Sequence, residues 1–375
     1  MDEEDQKEKI QRATHDDDDD DRSQTDHIPL DLTLEILSRL PAKSILKSRC
    51  VSKLWSSFTK LPSFISNFAS RSSSRPPRLL VTLSTESNDF VFSFPQHQNP
   101  DGSYPQVYSE SVQGLFLLQG FKIRNPSLRR LWTLPHPTPN IPSHDNWMSY
   151  LGFDPLEGKH KVLCVSHKES QQPRVITLGA QDQSWRIITK GVPRHCPISG
   201  DHGRCFNGIL YYIARLVGVN DHPIIMSFDV KSEKFFKPIK YPTTYTRLSL
   251  VPCVMPYEGR LALVEYSINI DLYVSKDANG DEWTCKRFIR LPPSRERGVY
   301  LYFKGITDAG ELVFAPCRVF ESFYVLYFNP RRNSIREALF ERIVGKEFRQ
   351  RYGLSKKYTF KTTVFPNHIE SLVSL

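Results

Sequence analysis

Residues 28–68 read IPLDLTLEILSRLPAKSILKSRCVSKLWSSFTKLPSFISNF. Between Leu30 and Leu40 the apolar residues fall into two stripes, Leu32–Ile36–Leu40 and Leu30–Leu34–Leu37. Each has the three- and four-residue spacing that puts side chains on one face of a helix. A helix on the outside of a domain needs one such stripe; two predict cover on two sides. Pro41 ends the helix, because proline pushes the residue before it out of helical geometry. Ile45 and Leu46 predict a short second helix, and Val51, Leu54, Trp55 and Phe58, at i, i+3, i+4 and i+7, a third. Phe64, Ile65 and Phe68, after Pro62, predict a last short helical turn. A module of about 45 residues is marginal on its own, and this one carries more apolar surface than three short helices bury among themselves. The surplus predicts a docking surface for another helical protein; packing on the rest of this chain is the alternative.

The run resembles an F-box. The residues that carry the resemblance are Pro29, Leu32, Glu35-Ile36-Leu37, Leu40-Pro41, Lys43-Ser44-Ile45-Leu46, Arg49-Cys50-Val51-Ser52-Lys53-Leu54-Trp55 and Pro62-Ser63-Phe64. Ile28 stands where that family usually has leucine. The resemblance implies binding to a Skp-type adaptor and, through it, a cullin. It carries over Pro29, Leu32, Ile36, Leu37, Pro41, Leu46, Val51 and Trp55 as adaptor-facing or as supporting that face, with Trp55 the strongest candidate for module core instead.

Working outward, the segment before the module is acidic. Residues 1–26 hold 12 Asp/Glu against 4 Lys/Arg, including Asp16 to Asp21 in a row. Like charges with little to bury predict a disordered tail, without the apolar core of a secretory signal. On the other side, residues 71–77 (RSSSRPP) are polar and then stiff, and predict a link. Residues 27–70 thus form the helical module and 78–375 a second, larger domain.

That domain alternates apolar and polar residues in short runs, as at 78–83, 208–213, 260–265 and 311–315, which are strand signals. Asn207-Gly208, Asn279-Gly280 and Asp154-Pro155 supply turns. Asn125, Asp182, Asp229, Asp277 and Asn329 recur at intervals of 57, 47, 48 and 52 residues. A period near 50 residues belongs to kelch-like units, one four-stranded blade each. The expected fold class is therefore α+β multidomain: a small three-helix module followed by an all-β, kelch-like propeller of about six blades. The chain ends, 78–110 and 369–375, are expected to share a closing blade; an array of two-sheet sandwiches is the alternative. GFDPLEGKHKVLCV (152–165), SFDVKSEKF (227–235) and NHIESLVSL (367–375) resemble the F-box-associated domain of plant F-box proteins, which implies protein recognition without catalytic residues. Over 331–361 a strand followed by one or two helical turns is expected.

The chemistry of sites is thin. His195-Cys196 with His202 and Cys205 lacks the paired short spacings of zinc ligands. No phosphate loop, His-Glu-x-x-His or Gly-x-Ser-x-Gly run occurs, and no cofactor is expected. Seven cysteines at irregular spacing fit reduced thiols in the nucleus or cytoplasm, and no apolar run reaches membrane-spanning length. The net charge of +9 leaves +17 on residues 27–375 once the −8 of the tail is removed. Charge of that size steers association and fits an acidic protein cargo better than nucleic acid, for which no reader motif appears. The expected function is the substrate-recognition subunit of an SCF-type ubiquitin ligase, itself non-catalytic. A propeller-based glycan binder or metal-dependent oxidase is the alternative.

Overall fold

The computed structural model describes residues 28–375 apart from 86–88, 97–111, 119–120, 139–146, 169–170, 181, 199–202, 219–221, 243–252, 267–268, 278–279, 281, 289–300, 321, 342 and 356–358. The acidic run 1–26, His202 and Asn279 lie outside these.

Four helices open the described chain: α1 (Leu30–Arg39), α2 (Ala42–Ser48), α3 (Lys53–Phe58) and α4 (Pro62–Ser73). Prolines set their starts. Pro29 and Pro41 stand just before α1 and α2, and Pro62 occupies the first turn of α4, where a missing N–H costs nothing. Leu40 is extended, as a residue before proline should be. Ser52 caps α3 by accepting from the Trp55 N–H at 3.0 Å.

The last helix corrects the expectation of a short turn and a link from residue 71. It runs twelve residues, through the serine-rich stretch to Ser73. Serine is an indifferent helix former, but Phe64, Phe68 and Ser72 recur every fourth residue and are buried. Tertiary burial overrides propensity here. The Ser73 hydroxyl donates back to the Ala69 carbonyl at 2.9 Å.

The rest is a six-bladed propeller. Blade 1 spans residues 116–133, blade 2 147–187, blade 3 195–240, blade 4 253–288 and blade 5 301–340. The sixth sheet joins both ends of the domain, in the order Asp89–Pro95, Arg78–Ser84, Phe360–His368, Arg318–Val319. Arg78 stands opposite His368 and Ser84 opposite Lys361. Pairing first with last removes the open edges that a linear array of sheets would leave. The closing strand is 360–368, not 369–375 as the repeat pattern suggested. Residues 369–375 form no strand and pack elsewhere.

The periodic Asx residues each sit between the last two in sequence of a blade's principal strands. Asp229 Oδ1 accepts from the Lys231 N–H at 3.0 Å, and Asn329 Oδ1 accepts from Arg331 and Arg332. Four residues on, Glu233 (φ 56) and Asn333 (φ 48) turn left-handed, as Arg129 does (φ 54) after Asn125. The Asx side chain folds the turn and the fifth residue reverses the chain into the next strand. The strand and helix expected near 331–361 are Ser334–Phe340 and α5 (Lys346–Arg351).

Two histidines are sealed into the propeller. His160 Nε2 donates to the Val112 carbonyl at 2.9 Å, and burial pushes its pKa down to about 4. His368 is held down to about 3, by burial first and by the nearby Arg78 charge second. Each has a folded pKa below its unfolded value of about 6.5. Their stabilisation is complete above that value and is lost as pH falls from 6.5 toward 4 and 3, because only the unfolded chain takes up the protons. Each should cost about 1.4 kcal/mol per pH unit in that window. Thermal unfolding followed from pH 7.5 to 5 should show Tm falling below pH 6.5. His160→Gln, which keeps a donor for Val112, should flatten that slope; an unchanged slope would refute the assignment.

Candidate adaptor interface and its anchor on the propeller

The two stripes of α1 have different fates. Leu37 is 3% exposed, and Leu34 packs partly against the same cluster. Leu32 and Ile36, one turn apart, stay 54% and 50% exposed. Ile28, just before the helix, is 61% exposed, and Val51, between α2 and α3, is 69% exposed. Pro29 and Pro41 are exposed as well. Single exposed apolar residues are ordinary on protein surfaces; a short module presenting four large ones, two of them one turn apart on one helix, is not.

The residues carried over from the F-box resemblance therefore divide. Pro29, Leu32, Ile36, Pro41 and Val51 reach solvent, Leu46 and Trp55 are half-buried, and Leu37 is core. Leu37 cannot touch a partner directly, since the module's own packing covers it. Its cluster holds Ala42, Ile45, Leu61, Phe64 and Phe68 from the helices, and also Leu128 and Leu372 from the propeller domain. Leu40, on the stripe of Leu32 and Ile36, packs partly against this cluster as well, so the chain covers Leu34, Leu37 and Leu40 and leaves Leu32 and Ile36 open.

Polar contacts reinforce the closed side. Glu35 takes Arg39 at 2.7 Å and also pairs with Arg71 of α4. These hydrogen bonds, Arg39 first and Arg71 second, hold its carboxyl below the usual range. Arg75 donates to the carbonyls of Ser38, Arg39 and Leu40, at 3.3, 2.8 and 3.2 Å, closing the end of α1. Its guanidinium also lies 3.5 Å from Glu370, whose carboxylate accepts the Ala42 N–H at 3.0 Å.

Glu370 belongs to the segment 369–375, which the sequence pattern assigned to a blade. It is a wedge instead. Asn125, fully buried, donates its amide to the carbonyls of Ser371 and Val373, at 3.0 and 2.9 Å. The Ser371 N–H donates to Ser127 Oγ at 3.1 Å. Val373 and Leu375 pack on the core of blades 1 and 2, while Leu372, 1% exposed, enters the helical module. Gly114 is required beneath the wedge: it is left-handed (φ 82), and a Cβ there would lie 2.4 Å from Ser371 Cβ. The apolar pattern of Leu372, Val373 and Leu375 was visible in the sequence, but not its change of direction.

Of the His/Cys group, His195 and Cys196 lie on the strand His195–Pro197 and Cys205 on Arg204–Phe206, both paired with Ile209–Leu216 in blade 3. His195 has Nδ1 at 2.6 Å from the Pro193 carbonyl and Nε2 at 2.6 Å from the Tyr212 hydroxyl. Cys196 donates to the His167 carbonyl at 3.2 Å, and Cys205 accepts the Phe153 N–H at 3.3 Å. No group of three or more metal-ligating side chains occurs among the described residues. A cavity of about 200 Å³ beside His195, lined by Ser166, Lys168, Gln171, Pro193 and Arg194, is below the usual range of about 300–1,000 Å³ for small-molecule sites. No helix among the described residues is long and apolar enough to cross a membrane.

A helical module with an open apolar stripe, fixed to a closed six-bladed propeller, is the architecture of a recognition subunit. Family models match both parts: the F-box domain over residues 26–67 and the F-box associated beta propeller domain over 78–369. The chain belongs to the F-box proteins that carry this propeller, and membership implies a substrate-recognition role in SCF ubiquitin ligases. Among similar proteins, F-box protein At5g18160 of Arabidopsis thaliana is 38% identical, over 94% of this chain and 92% of its own length. F-box protein At1g30790 of the same plant is 33% identical, over 94% of this chain and 99% of its own length. Among solved structures, an exo-beta-1,3-galactanase from Phanerochaete chrysosporium overlays 69% of this chain and 59% of that chain at 11% identity and a TM-score of 0.33, which is too loose to carry argument.

The wedge makes a direct prediction. Leu372→Ala should cost about 2–5 kcal/mol, the usual range for a fully buried leucine. Hydrogen exchange should show the loss concentrated in α1, α2 and α4, with blades 3 to 5 keeping their protection. Uniform loss across all blades, or none, would contradict the anchoring role.

Proposed function

We propose that this chain is the receptor subunit that joins a Skp-type adaptor, and through it a cullin, to a cargo protein for ubiquitination. Ile28, Pro29, Leu32, Ile36, Pro41 and Val51 form the adaptor-facing surface. Leu37, Leu46 and Trp55 support it from beneath. The observation that carries this is the half-exposed Leu32–Ile36 pair on a helix whose other stripe the chain itself has buried. An amphipathic face laid against a partner's apolar groove is a standard mode of helical recognition.

In this reading the chain makes and breaks no bonds. The F-box fixes the propeller to the ligase, and the propeller raises the local concentration of cargo lysines near the ubiquitin-loaded enzyme. The anchor supports that role, because a receptor hinged loosely at residues 74–77 would not hold its cargo at a set distance. The nucleus and the cytoplasm both suit a chain with seven free cysteines.

Capture with a purified Skp-type adaptor tests the reading. Leu32→Ala with Ile36→Ala should lower affinity by tenfold or more, at about 1–2 kcal/mol for each truncated anchor, while Tm stays within a few degrees of the parent. Equal recovery of parent and double variant would remove the proposal's support.

A further inference from the structure

The acidic run Asp16–Asp21 plays no part in the receptor reading, and the helical module to which it is joined carries the opposite charge. Residues 1–26 hold 12 Asp/Glu and 4 Lys/Arg, a net of −8. Residues 28–75, all of them described, hold eight Lys/Arg and two carboxylates, Asp31 and Glu35, a net of +6. Residues 76–375 hold the remaining +11, spread over 300 residues instead of 48. The module's cations divide by type. Each arginine has a structural partner. Arg39 and Arg71 pair with Glu35, Arg75 holds the α1 carbonyls and Glu370, and Arg49 donates to Thr59 Oγ1 and to the Thr59 carbonyl, both at 2.9 Å. The four lysines, Lys43, Lys47, Lys53 and Lys60, are all exposed. Arginine's planar fork suits fixed partners, whereas a lysine is a point charge on a long flexible stem. Lys43 and Lys47 stand one turn apart on α2, and Lys53 opens α3. Along the chain they interleave with the exposed Pro41 and Val51. Asp21 is seven residues from Ile28, a reach of at most about 25 Å, and α1 is about 15 Å long. A single exposed ion pair is worth little, but six carboxylates on a tether of that length meet the lysines at an effective concentration of about millimolar.

We propose that Asp16–Asp21 dock on the lysine face of this chain's own F-box, at Lys43, Lys47, Lys53 and Lys60, and that the adaptor displaces them when it binds. This rests on the receptor reading and adds to it a brake carried by the same chain. The charge match selects the occupant, since the longest run of one charge in the sequence is tethered to its most densely basic segment. The docking is electrostatic, because the run has no apolar side chain to lay on Leu32 and Ile36. A partner laid on Pro41 and Val51 also covers the lysines between them, so the two compete. The run therefore weakens adaptor capture without sealing the apolar stripe, and salt relieves it.

Carbodiimide cross-linking of the full chain, which joins a carboxylate to a lysine only where they touch, tests the docking when the links are mapped by mass spectrometry. Mixed isotope-labelled and unlabelled chains tell links within one chain from links between two. Links from Asp16–Asp21 should fall on Lys43, Lys47, Lys53 and Lys60 ahead of the propeller lysines and lie within one chain. Their yield should drop at least about twofold when salt rises from about 50 to about 500 mM. Adding a purified Skp-type adaptor should lower the same yield. Substituting the whole run, Asp16→Asn through Asp21→Asn, should tighten adaptor binding about threefold to tenfold at the lower salt and leave it unchanged at the higher. The inference is overturned by links that favour the propeller, by links between chains, or by a yield indifferent to salt or to bound adaptor. It is equally overturned if the substituted chain binds the adaptor like the parent at the lower salt. An adaptor that binds neither chain strikes the receptor reading instead, while the links measured without it still decide the docking.

Discussion

One leucine holds the two halves of this molecule in register. Leu372 leaves the propeller and completes the core of the helical module. Four helices of 10, 7, 6 and 12 residues enclose too little volume to bury Leu37, Phe64 and Phe68 unaided. The propeller domain supplies the missing apolar atoms from Leu128 and Leu372. The buried Asn125 amide then fixes the backbone on either side of Leu372, because leaving either carbonyl unpaired in that environment would cost about 1–3 kcal/mol. The F-box is therefore not a bead on a string. Its core is partly made of propeller.

That sharing also decides which surface of α1 remains available. A helix with two apolar stripes can rotate to bury either. The contacts of Glu35 with Arg71, and of Arg75 with the last carbonyls of α1, fix the rotation. Leu37 turns inward and Leu32 with Ile36 turns out. The polar residues around α1 contribute little energy individually, since exposed ion pairs are usually worth less than about 1 kcal/mol. Their effect is to select one of two nearly equivalent faces.

Much of this was legible in the sequence. The stripes of α1, the prolines at helix starts and the near-50-residue recurrence of Asx turns gave the module, the propeller and its blade number. Each is a local signal: a spacing, a fixed φ or a side chain that bonds its own backbone. What was missed is non-local. The pattern of 369–375 fits an edge strand, and only the position of the Asn125 amide, some 245 residues earlier in the chain, makes it a wedge. The serine stretch after Phe68 reads as a link because propensity is local, whereas the burial of Ser72 is not. The F-box resemblance grouped Leu37 with Leu32 and Ile36 as adaptor-facing, although the helical pattern places it on the other stripe; that pattern shows which residues are apolar. It does not show which stripe the chain will cover for itself.

The same closure that removes free sheet edges gives the propeller a polarity. One short strand, Arg78–Ser84, begins beside the F-box and ends among cations. The first and last strands must pair in register for the ring to close, so the separation of its two ends is set by strand length and cannot relax by hinge motion. His368 and Arg78 face each other at the attached end, where burial keeps the imidazole neutral beside the guanidinium. At the far end Lys361 and Arg318 stand opposite each other and are exposed. The backbone pairing that completes the fold thus also separates, by about 20 Å of strand, the end fastened to the F-box from the end where Lys361 faces Arg318.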